Sequence, residues 1–338
     1  MYDYIAFSLP FFSFILIYGL TKYYINFAKK RGLLVPDAHK KDKPLIPTMG
    51  GVVLFSLIPL YLIAYLFLSD YTVHRSIPLN NELIAIISVI MISGLIGLID
   101  DLKDLGLKKV FASIFVAIPI LFFHAYYPRL MVPFVGRIRI TIVYPMLILL
   151  AVPIVVNAVN MVDTHNGVML SASAFILAPL LLWSIILGDK ISILYISVAL
   201  GAVLGLFIWN KYPARVFPGN VGSYLLGGLL IVLIIITGME YVALVAMLPI
   251  ILHGFYLLSS IRGIMTRQKI RMHAGEPVFL KGEVIYPNLD PNAPFTLTRL
   301  LIIAFGPMTE KELVRKFYLL FGFSSFLAFI TGFIVYML

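Results

Sequence analysis

Long apolar runs recur along this chain, and the segments between them hold most of the charge. About 18 or more apolar residues with few charges suffice to cross a ~30 Å hydrocarbon layer as a helix. The pattern predicts ten such spans, at 4–27, 49–69, 83–99, 110–127, 141–157, 168–187, 191–209, 221–238, 242–260 and 314–337. Pro59, Pro119, Pro153 and Pro249 fall inside them, which packed membrane helices tolerate. The opening stretch MYDYIAFSLPFF has an acidic start and no small-residue cleavage site, so it reads as a first span rather than a removed signal. Segment 128–140 alternates weakly and predicts a small hairpin. The longest loop, 261–313, holds Gly/Pro turns and an apolar stretch at 297–305 suited to lying along a membrane surface. The predicted fold is all-α: one integral-membrane domain over residues 1–338, polytopic, with about ten transmembrane helices. No internal repeat argues for an inverted duplication.

Composition narrows the class. Of 338 residues, 61% are hydrophobic and 12% charged, against roughly half and one quarter in soluble domains. An ordinary soluble fold, disorder and a fibrous repeat are excluded. The absence of cysteine removes thiolate nucleophiles and cysteine-held metals. The net charge of +10 does not point to nucleic acid, because the basic residues are divided among the loops. Twenty Lys/Arg fall in or beside one alternate set of loops and five in the other. By the positive-inside bias the richer set is cytoplasmic and both termini lie outside the cell membrane.

Four polar clusters stand out, all on the expected cytoplasmic side. Asp100-Asp101 closes the third span, where a helix C-terminus disfavours carboxylates unless a cation offsets them; a solvated helix end beside Lys103 and Lys108 is the plainer alternative. Asn157 and Asn160 share a helix face, extended by Asp163 if the helix continues, before the Asn166-Gly167 turn. Amides and an acid on one face suit a hard cation or the edge of a base, or hydrogen bonds between helices. Pro218-Gly219-Asn220-Val-Gly-Ser223 feeds a helix N-terminus that suits phosphate, although a cap by Asn220 or Ser223 explains it equally well. Arg262, Arg267, Lys269, Arg271 and His273 suit a pyrophosphate or an anionic lipid surface. Pro47-Thr-Met-Gly50-Gly51 follows a basic stretch, His39 to Lys43, and reads as a turn leading into a helix. His124 and His253 read as packing histidines. Walker A loops, Gly-x-Ser-x-Gly elbows and His-Glu-x-x-His pairs are absent. Cation ligands, phosphate-binding side chains and a lipid-embedded scaffold together fit phosphoryl transfer onto a lipid carrier.

The ordered elements Pro-Thr-Met-Gly-Gly, Ile-Asp-Asp-Leu-Lys-Asp-Leu, Asn-Ala-Val-Asn-Met-Val-Asp-Thr-His-Asn-Gly and Phe-Pro-Gly-Asn-Val-Gly-Ser resemble the polyprenyl-phosphate N-acetylhexosamine-1-phosphate transferases over nearly the whole chain. The chain looks most similar to the UDP-GlcNAc:dolichyl-phosphate branch, in an archaeal form, on Arg-Gln-Lys-Ile at 267–270 and Ala-Phe-Gly-Pro-Met before the last span. The resemblance implies UDP-GlcNAc and a dolichyl or polyprenyl phosphate as substrates, Mg²⁺ or Mn²⁺ as cofactor, and admits a homodimer. It implies that Asp100, Asp101 and Asp163 are catalytic or metal-handling, with Lys109 or its neighbour Lys108 near the phosphates. It implies that Asn160 is a metal ligand, that Asn166 contacts the uridine, and that Arg267 and Lys269 contact the diphosphate. Asn157, Gly167 and Gly219 complete the expected substrate site. One position departs: the family usually has Asp where this chain has Asn220, an amide that can ligate a metal but supplies no charge. The rival readings are a cell-wall precursor transferase using a UDP-linked muramyl-type sugar and a transporter with a nucleotide or anion site. Charges at span ends rather than mid-membrane favour the enzyme.

Overall fold

The computed structural model describes residues 2–71, 80–132, 134–263, 265 and 267–337. The first helix, α1 (Tyr2–Arg31), leads to a short antiparallel pair, β1 (Leu34–Pro36) and β2 (Leu45–Pro47), then a 3-10 turn at Gly50–Ser56 that runs into α2 (Leu57–Tyr71). The helix α3 (Asn81–Lys103) follows. The predicted span 110–127 is shorter and built in pieces: α4 (Lys108–Ala112), a 3-10 turn at Ser113–Val116, and α5 (Ala117–Phe122). The predicted hairpin is present as β3 (Arg129–Val132) and β4 (Gly136–Arg139). Four long helices come next: α6 (Val143–Val162), α7 (Val168–Leu187), α8 (Lys190–Asn210) and α9 (Gly219–Thr237). The predicted span 242–260 is two helices, α10 (Glu240–Ala246) and α11 (Leu248–Ser260), bent by 62°.

The long loop is more ordered than its turn residues suggest. It carries α12 (Arg267–Ala274), the hairpin of β5 (Val278–Lys281) and β6 (Val284–Pro287), and the amphipathic α13 (Leu297–Phe305). The two-residue β7 (Met308–Thr309) pairs with β6 and leads into α14 (Glu310–Tyr336) through a capping box of Thr309 and Glu312. The protein is a polytopic, mostly helical membrane protein. Among the described residues six helices are long and apolar enough to cross a membrane, α3, α6, α7, α8, α9 and α14, or seven if the α10–α11 pair is one span.

The helix α9 is buried along nearly its whole length, as expected for a segment apolar on every side. It packs along α3 and α6, while α1 lies along α8, and α14 along α7 and α10. Small residues permit the closest approaches. A methyl on Gly97 of α3 would strike the backbone of Asn220 and Val221, and one on Gly51 would strike the backbone of Gly222. These contacts press the end of α3 and the 3-10 turn against the start of α9. The outer surface carries exposed apolar side chains such as Leu102, Phe111, Phe115, Leu319 and Phe323, the face a hydrocarbon layer would cover.

Candidate active site

Three of the four polar clusters singled out in the sequence meet at one end of α3, α6 and α9, where hydrogen bonds join them. Asp101, near the end of α3, accepts from the backbone N–H of Asn220 at 2.9 Å and of Val221 at 2.9 Å. Its carboxylate therefore caps α9 from another helix, where unsatisfied N–H groups and the dipole favour negative charge. This explains why neither Asn220 nor Ser223 caps α9 itself. Gly219, with φ of +73°, brings the backbone close to Asp101 Oδ2 and Met49, and a Cβ would not fit. The Pro-Thr-Met-Gly-Gly segment braces the same turn: Phe217 donates to Pro47 O at 2.8 Å, Gly50 to Phe217 O at 2.9 Å and Gly51 to Pro218 O at 2.8 Å.

Asp100 faces elsewhere. Its Oδ2 pairs with Lys109 Nζ at 2.7 Å and its Oδ1 accepts from Leu105 N at 2.8 Å. The adjacent acids thus have divided roles: Asp101 holds α9, and Asp100 holds the turn and the lysine that follow α3.

From α6, Asn160 Nδ2 donates to Asn220 Oδ1 at 2.9 Å and to Ser223 Oγ at 2.7 Å. Asn157, one turn earlier, is engaged on both sides of its amide. Its Nδ2 donates to Ser113 Oγ and Pro153 O, each at 2.8 Å, and its Oδ1 accepts from Tyr224 at 2.9 Å. Asn157 therefore ties α6 to α9 and to the 3-10 turn after α4. The helix does not continue to Asp163, which sits at its C-cap with ψ of 66°. Burial, then the nearby charge of Asp101, pushes the Asp163 carboxyl up to about 7.

Next to Asp163 lies a second polar group that sequence reasoning largely missed. Asn166, 2% exposed, donates from Nδ2 to Asp37 Oδ2 at 3.2 Å and from its backbone to Glu310 Oε1 at 3.4 Å. Gly167 N donates to Asn210 Oδ1 at 3.1 Å. Lys40 is ion-paired with Asp37, lies 3.7 Å from Glu310 Oε2 and stacks over Tyr212. The His39 ring lies 4.2 Å from that of His165, and its Nε2 meets Thr164 O at 3.1 Å. Burial first, then His165, draws the His39 imidazole down to about 4, so it is neutral near pH 7. His165 Nε2 meets Thr298 Oγ1 of α13 at 3.1 Å. Lone acids at Asp37 and Glu310 carry no local signal. Glu310 reads as first-turn charge of a capped helix, and only the fold brings it to Asn166.

Lys269 lies on the exposed α12. The side chains of Arg267 and Arg271 of the fourth cluster lie outside the described residues.

Among the described residues no three His, Asp or Glu side chains gather for a metal. Oxygen ligands are nonetheless at hand. The Asp163 carboxylate and Asn160 Oδ1 accept no hydrogen bond among the described residues, and Asn220 Oδ1 is shared only with Asn160. A carboxylate with amide oxygens fits Mg²⁺, which commonly keeps several waters and takes few protein ligands.

A helical membrane scaffold gathers amides, carboxylates and a lysine at one end, and comparison with known proteins identifies the class as a transferase. The model of glycosyl transferase family 4 matches residues 83–238. A Sulfolobus acidocaldarius protein provisionally named UDP-N-acetylglucosamine–dolichyl-phosphate N-acetylglucosaminephosphotransferase is 33% identical over 230 residues, 66% of this chain and 68% of that one. A Methanocaldococcus jannaschii protein provisionally named a glycosyltransferase is 30% identical over 318 residues, 91% of this chain and 89% of its own. A phospho-N-acetylmuramoyl-pentapeptide-transferase of Dictyoglomus thermophilum is 29% identical over 271 residues, 75% and 79% of the two chains. The chain belongs to glycosyl transferase family 4.

Proposed function

We propose that the protein transfers GlcNAc-1-phosphate from UDP-GlcNAc to a dolichyl or polyprenyl phosphate in the bilayer. The products would be GlcNAc-diphospho-polyprenol and UMP, the first step in building a lipid-linked oligosaccharide for N-glycosylation. The observation that carries this reading is the junction of α3, α6 and α9, where Asp101, Asn160 and Asn220 meet beside the Asp100–Lys109 pair. The archaeal relative's name supplies the sugar nucleotide and the dolichyl phosphate.

In this mechanism an oxygen of the lipid phosphate attacks the β-phosphorus of UDP-GlcNAc. The new O–P bond forms as the bond from that phosphorus to the bridging oxygen breaks, and UMP leaves with that oxygen. A phosphate monoester is mostly dianionic near pH 7, its second pKa being about 6, so no strong protein base is needed. Lys109, held by Asp100, offers a positioned cation for the developing charge. Lys269 and Arg267 supply further positive charge for the diphosphate. Mg²⁺ held by Asp163, Asn160 and Asn220 would neutralise phosphate charge when bound. The site would face the cytoplasm, with both chain termini on the other side.

The test is UMP release by detergent-solubilised protein given short-chain polyprenyl phosphate and a panel of UDP-sugars. UMP from UDP-GlcNAc with Mg²⁺ is the expected result. Silence with every UDP-sugar would remove the enzyme reading. The bacterial relative favours one alternative, a muramyl-type donor, and UMP from that donor alone would select it.

A further inference from the structure

Lys109 sits on α4, a helix of five residues, too short to be stable by itself. Its ammonium pairs with Asp100 Oδ2 at 2.7 Å, yet its side chain keeps 23% of its surface open, enough to meet a substrate while held. An ion pair at the tip of a long side chain does not fix the backbone beneath it, so other contacts must place α4. Ser113 supplies them at the C-terminal end of the helix. Its backbone N–H donates to Lys109 O, and its hydroxyl donates to Val110 O at 2.6 Å.

Ser113 is fully buried. With its one proton given to Val110, its oxygen can only accept, and it accepts from Asn157 Nδ2 of α6 at 2.8 Å. The other amide proton of Asn157 goes to Pro153 O at 2.8 Å, and Oδ1 accepts from the fully buried Tyr224 of α9 at 2.9 Å. Turning this amide over would set its oxygen against two acceptors, which is costly in a buried site. Both amide protons are therefore spent inside the protein, in one orientation. The next residue of α9 towards its N-terminus, Ser223, accepts from Asn160. Adjacent residues of α9 thus set the two amides of α6: Asn160 towards Asn220 and the candidate cation ligands, Asn157 towards α4.

We propose that Asn157, acting through Ser113, is a positioning residue for Lys109. The chain of bonds from Tyr224 to Asn157 to Ser113 fixes the backbone of α4 from behind, while Asp100 holds the ammonium in front. A cation fixed at both ends of its side chain can stabilise charge that develops during transfer without first reorganising. Asn157 has no amide proton left for a substrate and exerts its effect only through the lysine. This inference rests on the proposed reading of Lys109 as the cation that meets the transferring phosphoryl group.

The experiment measures UMP release by the full-length protein in detergent, with kcat and KM resolved for UDP-GlcNAc and for the lipid phosphate. Ser113→Ala removes the hydroxyl and little volume. Its kcat should fall about tenfold, the worth of one hydrogen bond. Both KM values should stay within about threefold, the pattern of an interaction made only in the transition state. Ser113→Thr, which keeps the hydroxyl, should recover most of kcat. Asn157→Ala should reproduce the loss, and Ser113→Ala carries the test alone if Asn157→Ala fails to fold. In a Lys109→Gln background neither substitution should cost more, because residues acting through one group are not additive; a merely structural role would add in full. Where Lys109→Gln slows transfer, a wild-type kcat in Ser113→Ala, a loss that adds in full to that of Lys109→Gln, or a change confined to KM overturns this inference and leaves the transferase reading standing. Lys109→Gln with wild-type turnover overturns it together with the role proposed for that lysine. A wild-type protein that releases no UMP overturns both the inference and the transferase reading.

Discussion

Asn220 is where the chemistry of this chain parts most clearly from the pattern it resembles. Its backbone N–H is held by Asp101 and its side chain pairs with Asn160, so the neutral amide sits comfortably among its neighbours. As a cation ligand it offers an oxygen without charge, leaving Asp163 as the carboxylate in the candidate set. Asn220→Asp should therefore tighten Mg²⁺ binding by roughly tenfold, measured by calorimetry on the folded protein independently of turnover. Equal titrations of the two forms would exclude position 220 as a ligand. The neighbouring acids show what sequence reading conveys at this scale. Two carboxylates at a helix C-terminus were legible as an anomaly, because the helix dipole opposes them. Their division of labour was not, since it depends on α9 starting opposite Asp101 and Lys109 folding back on Asp100. Asp37, His165 and Glu310 left no trace, because each is an ordinary residue until the loops around it converge.

At the scale of elements, the long apolar helices were readable because a membrane span is a composition before it is a structure. The hairpin at 129–139 was readable from its alternation. The element boundaries that shape the site were less so. The helix α6 ends one residue before Asp163, and the predicted span 110–127 is a chain of short helices that places Lys109 and Ser113 near α3 and α6. The strands of the long loop were hidden by its Gly and Pro residues; they form a three-stranded antiparallel sheet in which β6 pairs with both β5 and β7. The junction itself depends on backbone proximity. In Gly97→Ala the added methyl must displace Asn220 and Val221 of α9, and overpacking of this kind costs about 1–3 kcal/mol. The melting temperature in detergent should fall, and UMP release should fall further than stability alone requires, because the displaced residues carry the Asp101 and Asn160 contacts. Gly136→Ala is the useful control for crowding: apart from its chain neighbours, no atom of the described residues lies within 4 Å of the added methyl, although its φ of +89° brings its own strain. If Gly97→Ala retained full stability and activity, the close approach of α3 to α9 would not be what shapes the site.

For the whole molecule, the chain's own composition supplies the means to test which way the site faces. The proposed orientation places the loop carrying α12, α13 and the β5–β6 hairpin in the cytoplasm, and the β3–β4 hairpin on the opposite side. This follows from twenty basic residues against five in the two sets of loops. The absence of cysteine means that a single introduced thiol is the only one to label. Asn292, exposed in the long loop, and Phe134, 80% exposed at the tip of the β3–β4 hairpin, suit this purpose. In sealed, right-side-out vesicles a membrane-impermeant maleimide should modify Phe134→Cys directly and reach Asn292→Cys only after permeabilisation. The same preparation ties orientation to chemistry, because the two substrates approach differently. UDP-GlcNAc is a charged, water-borne donor that should support UMP release only when it has access to the Asn292 side, whereas the lipid acceptor arrives within the bilayer. Labelling of both positions from the same side would refute the alternation of loops. Labelling in the reversed sense would preserve the fold and the site while placing the reaction on the outer face, where the charge bias could no longer be its explanation.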